Sequence, residues 1–137
     1  MSTFFFYGTL MDADVRAAVL GPLRDDALVS PARLAGWERV GLRGRSYPVV
    51  RPAGAGIVDG LAVSFAAGST RQIRDLLTSF EGPEYRMETL TLASGEAAGV
   101  FVASRRCHPT GRPWSFADWE RRHKRAFLAA IGRGREV

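Results

Sequence analysis

One carboxylate in the segment from Phe80 to Arg86 lies where a helix is expected to end. Glu81 immediately precedes Gly82 and Pro83, two residues that commonly stop helices. In the last turn of a helix the unpaired carbonyl groups disfavour a negative charge, so the pKa of a carboxyl group there is expected to rise. A glutamate with a raised pKa can exchange protons near neutral pH. Glu81 is therefore our candidate general base and acid.

Two neighbouring glutamates are alternative candidates. Glu84 follows Pro83 in a turn, where exposure to solvent is the ordinary state of a carboxylate, and Glu88 lies within a predicted strand. Both positions are typical of solvated side chains rather than of a proton shuttle. We therefore prefer Glu81.

The cysteine and histidine residues predict no second reactive centre. Cys107 and His108 are adjacent, and neighbours on an extended segment point to opposite faces, which argues against a thiol and imidazole pair. Together with His123 they also lack the spacing of a recognisable metal site. We expect neither thiol catalysis nor a bound metal.

The spacing of apolar residues before Glu81 predicts the helix that carries it. Four of them recur at the i, i+3, i+4, i+7 positions of a single helix face: Ile73, Leu76, Leu77 and Phe80. Ser69 and Gln72 are spaced as a capping box at the start of this helix, and Gly82 occupies the place of a left-handed cap residue at its end.

The first ten residues predict a strand followed by a tight turn. Residues 3–7 are almost wholly apolar and aromatic, which is typical of a strand buried on both faces. The strand ends at Gly8, and Asp12 or Asp14 can cap a short helix that closes at Gly21. The glycine allows the backbone to approach a ligand, and unpaired amides in residues 8–10 can bind an anion or an oxyanion.

The remaining elements predict an α+β fold. Further strands are expected at residues 32–40, 47–50, 57–65, 85–92 and 97–104. Pro48 favours an edge or bulge position in a sheet. Residues 52–56 are expected to form a loop, and residues 109–113 are expected to form a turn-rich connection. Ser115 with Asp118 predicts the start of a last helix. Several short strands with two or three helices favour a curled or barrel-like sheet with helices packed against it.

Length and composition indicate one domain spanning residues 1–137. The chain has 46% hydrophobic and 24% charged residues, with neither a spanning apolar run nor a signal peptide, and it has one cysteine. We therefore expect a cytoplasmic protein. The formal net charge of +5 invites a nucleic-acid function, but much of the excess lies in the last segment and no nucleic-acid motif accompanies it. The composition argues against nucleic-acid and membrane partners.

Taken together, these motifs resemble those of the γ-glutamylcyclotransferase-like superfamily, nearest to its AIG2-like and γ-glutamylamine cyclotransferase branch. The likeness rests on short motifs and their order along the chain. They are a strand that leads into Tyr-Gly-Thr-Leu (residues 7–10), a central Tyr-Pro (47–48), an Asp-Gly (59–60) and a Phe-Glu-Gly (80–82) followed by Tyr85. It spans roughly residues 3–103. The last helix and basic tail, residues 115–137, lie outside it.

The resemblance implies a fold, a reaction and a site. The fold is a small mixed β-barrel flanked by helices, with a cavity bordered by Tyr7, Gly8, Thr9 and Leu10. The family's catalytic glutamate matches Glu81. The implied reaction needs no metal or cofactor: the α-amine of a γ-glutamyl amide attacks its own γ-carbonyl, releasing 5-oxoproline and a free amine. Ring closure within one molecule gains much of its rate from orientation.

Besides Tyr7, three further residues are candidates around this cavity: Tyr85, Tyr47 and Arg45. Tyr7 and Tyr85 are expected in its wall, where their hydroxyl groups can orient the substrate or Glu81, and Tyr47 and Arg45 are expected at its mouth. The expected partner is a small γ-glutamyl substrate, and we expect a monomer. The alternative function is a binding or regulatory module that keeps the same fold and cavity without turnover.

Overall fold

A computed structural model describes residues 2–132 of the chain. Its strands are β1 (Ser2–Phe6), β2 (Leu28–Leu42), β3 (Pro48–Phe65), β4 (Tyr85–Thr91), β5 (Ala97–Ala103) and β6 (Pro109–Pro113). Its α-helices are α1 (Ala13–Leu20), α2 (Thr70–Glu81), α3 (Phe116–Arg122) and α4 (Lys124–Gly132). Short 3-10 turns cover Thr9–Met11, Gly21–Asp26 and Ala67–Ser69.

The six strands within the described residues form one mixed sheet in the order β4-β5-β1-β3-β2-β6. β1 runs antiparallel to β3 and parallel to β5, and the long strands β2 and β3 form a hairpin. The sheet curls into a half-barrel that carries the helices, which confirms the predicted α+β class and barrel-like sheet. The curl brings the start of β4 close to the tip of the β2–β3 hairpin, where Tyr85 packs near Val49.

Strand β1 lies inside the sheet and is buried on both faces, as its apolar composition predicts. Phe4 and Phe6 pack in a core cluster with the helices, whereas Phe5 and Tyr7 pack on the other side of the strand with Leu34. Successive side chains of a strand alternate between faces, so one aromatic run serves two cores. The end of β1 is thereby fixed in the middle of the molecule.

The two predictions about β3 had different outcomes. Residues 52–56, predicted as a loop from their proline, alanine and glycine content, continue the strand, and Pro52 pairs with Trp37. Ile57 pairs with Ala35, so residues 53–56 of β3 lie opposite the single residue Gly36 and form an irregularity within the strand. Pro48 is the first residue of β3, and the pairing with β1 covers residues 61–65, so this end of the strand is locally an edge, as predicted.

The predicted connection at residues 109–113 is also a strand. β6 pairs with β2 through Val40 and Pro113 and through Leu42 and Pro109. It lies at the edge of the sheet, where a proline at either end needs no partner for its nitrogen. The two prolines that suggested a turn are thus the two ends of an edge strand.

The N-terminal caps of the helices agree with the sequence in two places and differ in one. Asp12 caps α1 by accepting from the amides of Asp14 (2.9 Å) and Val15 (3.1 Å), and Ser115 caps α3 by accepting from Asp118. Ser69 precedes α2 but its side chain makes no capping hydrogen bond, so the predicted capping box is wrong. A 3-10 turn leads into α2 instead, and the amide of Ser69 donates to the carbonyl of Ala66.

The predicted last helix is two helices, α3 and α4, separated at His123. Trp119 of α3 is 1% exposed and joins the core under the helices. Residues 133–137, which include Arg133 and Arg135 of the basic last segment, lie outside the described part of the chain. None of the helices described here has the length and apolar character needed to span a membrane.

Candidate active site

A pocket lies where the end of β1, the start of β3 and the end of α2 meet. It contains about 450 Å³ of space free of protein atoms, part of which is open to solvent. Its lining brings together every residue that the sequence assigned to the site except Arg45, and adds six apolar ones. The lining residues are Phe5, Phe6, Tyr7, Gly8, Thr9, Leu10, Tyr47, Pro48, Phe80, Glu81, Tyr85, Phe101 and Phe127.

Helix α2 positions Glu81 in this pocket. The helix packs through Ile73 and Leu77, both 0% exposed, and each such side chain contributes about 1.5–3 kcal/mol of apolar burial. At its end Gly82 adopts a φ of 79°, and its amide donates to the carbonyl of Thr78 at 3.2 Å. The positive φ suits glycine and ends the helix at the residue before it. Glu81 is therefore held in the last turn, as predicted.

Burial raises the pKa of the Glu81 carboxyl group to about 8. The residue keeps some exposed surface, but its carboxyl group is enclosed by protein, which disfavours the charged form. The sequence predicted the direction of this shift from the helix end, whereas its cause in the structure is desolvation. No hydrogen bond or ion pair from residues 2–132 reaches this carboxyl group. It is a buried acid whose proton is available for transfer near neutral pH.

Tyr7 and Tyr85 flank Glu81, but their hydroxyl protons are already used. Tyr7 donates to the carbonyl of Phe101, and Tyr85 donates to the carbonyl of Pro48 at 2.6 Å. Burial raises the pKa of both phenols well above the usual value, and the nearby Glu81 adds to the effect. Both groups therefore stay protonated. Their oxygens can still accept a hydrogen bond, so they suit an N–H donor better than a carbonyl oxygen.

The turn after β1 forms the opposite wall. Thr9 and Leu10 are buried, and their amides precede the first hydrogen bond of the 3-10 turn, from Met11 to the carbonyl of Gly8 at 3.0 Å. These amides therefore have no acceptor within the turn. Gly8 serves a packing role that the sequence did not reveal: a Cβ atom there would lie 3.1 Å from two ring carbons of Pro48.

Arg39 supports this wall from behind, and sequence reasoning missed it. Its Nη1 donates to the carbonyls of Tyr7 (3.0 Å) and Asp59 (3.1 Å), and its guanidinium lies 5.4 Å from the ring centre of Trp114. The arginine thus ties the end of β1 to β3. It lies on β2 within an alternating stretch that carries no motif, so only the strand pairing reveals its role.

The mouth of the pocket carries a small polar network. Glu84 accepts from the hydroxyl of Tyr47 at 3.2 Å and from Nε of Arg45 at 3.4 Å. Tyr47 lines the pocket as predicted, but Arg45 is absent from the lining and is exposed. Since Arg45 pairs with Glu84, it is not a free cation waiting for a substrate carboxylate.

The alternative reactive groups lie away from the pocket. Glu88 pairs with Arg86 at 2.5 Å on the exposed side of β4. Cys107 packs against the apolar cluster of Val40, Leu42 and Val49, while the exposed His108 uses its carbonyl to accept from the amide of Arg43. Within the described residues no group of three or more histidine, cysteine, aspartate and glutamate side chains is placed to hold a metal ion.

Helix α4 contributes to the pocket, although it lies outside the motif resemblance seen in the sequence. Phe127 of α4 lines the pocket and meets Tyr47 and Phe80 edge-on, each at 6.2 Å between ring centres. Nζ of Lys124 lies 2.8 Å from a carboxylate oxygen of Asp12 and 2.8 Å from one of Asp14, which ties α4 to the start of α1. No local motif marks Phe127 as a pocket residue, so its place in the site could not be predicted from the sequence.

Similar structures share this architecture. The solution structure of an Arabidopsis thaliana protein matches with a TM-score of 0.64 and 25% identity, covering 95% of this chain and 87% of that one. A structure titled as a gamma-glutamyl cyclotransferase matches with a TM-score of 0.59 over 79% of this chain and 69% of that one. Its 11% identity means that this second likeness shows the fold alone.

Similar sequences agree with the structures. The AIG2-like protein A of Arabidopsis thaliana is 31% identical over 130 residues, which cover 90% of this chain and 75% of the relative. The model of the family described as "Gamma-glutamyl cyclotransferase, AIG2-like" matches residues 4–121. That match extends past residue 103, where the motif resemblance ended, and includes α3. The chain therefore belongs to the gamma-glutamyl cyclotransferase, AIG2-like family.

Proposed function

We propose that the protein is a γ-glutamyl cyclotransferase that converts a γ-glutamyl amide into 5-oxoproline and a free amine. The observation that carries this proposal is the Glu81 carboxyl group, which is buried, has a pKa of about 8 and faces the same pocket as the turn at residues 8–10. A buried acid without a partner costs folding free energy, so a role in proton transfer gives a reason for its position. Family membership supports the same reaction.

Glu81 acts in both halves of the reaction. The substrate's α-ammonium group first releases one proton to solvent; the carboxylate of Glu81 then takes a second proton from the α-nitrogen as this nitrogen attacks the γ-carbonyl carbon and closes a five-membered ring. The resulting carboxyl group then donates this proton to the leaving nitrogen as the bond from carbon to that nitrogen breaks. Protons balance over the cycle, and no water or second substrate is consumed. A pKa near neutrality suits a group that must both accept and release the proton.

The two tyrosines hold the nitrogen end of the substrate. Because the protons of Tyr7 and Tyr85 are donated to backbone carbonyls, their oxygens keep lone pairs that can accept a hydrogen bond, although the amide of Val50 also faces the oxygen of Tyr7. Such oxygens accept hydrogen bonds from the α-ammonium group and orient it toward Glu81. Orientation of this kind supplies much of the acceleration in an intramolecular reaction.

The amides of Thr9 and Leu10 bind oxygen atoms of the substrate. They lack an acceptor within their turn, so they can donate to the substrate α-carboxylate or to the oxyanion that forms at the γ-carbon. Either role places a charge-stabilising donor opposite the acid. The packing of Gly8 on Pro48 and the hydrogen bond from Arg39 to Tyr7 hold these amides in position.

The test compares Glu81→Gln with Glu88→Gln, which removes a carboxylate outside the pocket. With γ-glutamyl methylamide as substrate and 5-oxoproline measured by mass spectrometry, we expect Glu81→Gln to lose about 10²–10⁴-fold in kcat. Glu88→Gln should retain wild-type turnover. Full activity of Glu81→Gln would contradict the proposed role of this residue. Thermal stabilisation of the wild type by the amide without any release of 5-oxoproline would instead favour a binding module.

A further inference from the structure

The pocket has a buried inner part and a half-buried outer part. Phe5, Tyr7 and Phe101 of the inner part are 2%, 6% and 5% exposed. Three of the four half-buried aromatic residues of the lining form the outer part, which we call the outer aromatic wall: Tyr47, Phe80 and Phe127. The fourth, Tyr85, lies near Glu81 and donates to the carbonyl of Pro48. Under the proposed function the compact γ-glutamyl group occupies the inner part beside Glu81, so a substituent on the leaving nitrogen extends along the outer wall.

Phe127 joins this wall from outside the region that the family model matches. The match ends at residue 121, whereas Phe127 lies on α4, which begins at Lys124. Its ring makes edge contacts with both other members of the wall, at interplanar angles of 72° to Tyr47 and 83° to Phe80. Edge-to-face packing of this kind fixes the orientation of a ring and leaves part of its surface free.

Contacts on both sides hold Phe127 in place. Its ring lies 5.5 Å from that of the buried Trp119, and its amide donates to the carbonyl of His123 at 3.0 Å. One turn earlier, Lys124 is paired with Asp12 and Asp14 at the start of α1. The ring is therefore a fixed part of the wall in this structure.

The charges of the lining indicate what the wall can bind. Glu81 is the one residue of the described lining that carries a charge when ionised, and no lysine, arginine or histidine belongs to it. At the mouth, Arg45 is already paired with Glu84. A leaving amine that bears a carboxylate would meet no free cation along this lining. An apolar or aromatic substituent would instead bury its surface against three rings.

We propose that Phe127, together with Tyr47 and Phe80, binds the substituent of the leaving amine and selects γ-glutamyl amides of apolar or aromatic amines. This inference rests on the proposed function. Phe127 is in this view a specificity-determining residue, because it contacts the part of the substrate that does not react.

The test compares two substrates that differ only in this substituent, γ-glutamyl methylamide and γ-glutamyl 2-phenylethylamide. We expect the wild type to give the higher kcat/KM with the phenylethylamide. Phe127→Ala should lower the ratio of the two kcat/KM values about tenfold, because the methylamide does not reach the wall. Phe127→Leu, which keeps apolar surface, should retain most of this ratio.

Phe116→Ala is the matched control, since Phe116 also packs on Trp119, at 6.1 Å, but does not line the pocket. It should leave the ratio unchanged. The inference would be overturned if Phe127→Ala lost kcat/KM equally with both substrates, or if the wild type preferred neither substrate. In either case, release of 5-oxoproline from the methylamide would still support the proposed function. Release from neither substrate by the wild type would overturn both.

Discussion

Two buried carboxylates of this protein occupy opposite ends of helices and have opposite surroundings. Asp12 precedes α1, where it accepts from two backbone amides and pairs with Lys124. Burial alone would raise its pKa, but Lys124 and the amide of Val15 outweigh burial and lower it. Glu81 closes α2, no partner among residues 2–132 reaches its carboxyl group, and burial raises its pKa to about 8.

The comparison separates a structural acid from a chemical one. Every contact of Asp12 favours the charged form, so its charge stabilises the fold and its proton is not available near neutral pH. Glu81 keeps some exposed surface, yet its carboxyl group is enclosed by protein and nothing within the described residues stabilises its charge. Depth of burial is therefore a poor guide to function. The supply of donors around the carboxyl group distinguishes the two.

The largest expected effect is the pH dependence of turnover. If Glu81 must lose its proton to act, kcat/KM for γ-glutamyl methylamide should rise about tenfold per pH unit below pH 8 and level off above it. A profile that is flat from pH 5 to pH 8 would remove Glu81 as the titrating group. In Asp12→Asn, kcat/KM should level off at the same pH as in the wild type, because the carboxylate of Asp12 takes no part in the proton transfer.

A second prediction concerns stability and Glu81. Its folded pKa of about 8 exceeds the ordinary value of 4.5, so its contribution is present below pH 4.5 and is lost as the pH rises through 8. In urea unfolding, the free energy of unfolding of Glu81→Gln relative to that of the wild type should therefore increase from pH 5 to pH 9, by an amount on the order of a few kcal/mol. A difference that does not change with pH would contradict the raised pKa. Glu88→Gln should show no such trend.

The same experiment on Asp12 should give the opposite trend. Asp12→Ala removes the cap of α1 and should cost about 1–2 kcal/mol in the free energy of unfolding near pH 7. Because the pKa of Asp12 is lowered, its contribution is present above about 3.8 and is lost as the pH falls below that value. The deficit of Asp12→Ala should thus shrink in acid. Asp12→Asn, which keeps a capping oxygen, should cost less.

The smallest expected effect tests the tyrosine beside Glu81. Tyr85→Phe removes the hydrogen bond to the carbonyl of Pro48 and should cost about 1 kcal/mol of stability. If its oxygen also receives the substrate ammonium, KM for the methylamide should rise as well. An unchanged KM with reduced stability would assign Tyr85 a structural role alone.

Local patterns in the sequence predicted the elements that flank the site. The apolar spacing from Ile73 to Phe80 predicted α2, the aromatic run after Ser2 predicted a buried strand, and Gly82 predicted the helix end that holds Glu81. Composition misled at residues 52–56 and 109–113, because strand pairing accommodates glycine and proline at irregular and edge positions. The roles of Arg39 and Phe127 could not be predicted, since each depends on partners distant in the chain.

By itself, the sequence determined which residues the site contains around Glu81 and the family to which they point, because those features depend on residue type and short spacing. Tertiary structure alone decided that Glu81 is enclosed without a donor while Asp12 is surrounded by donors. It also decided that Phe127 completes the pocket. The physical reason is that desolvation and pairing arise from atoms brought together by folding, and neither depends on the neighbours of a residue along the chain.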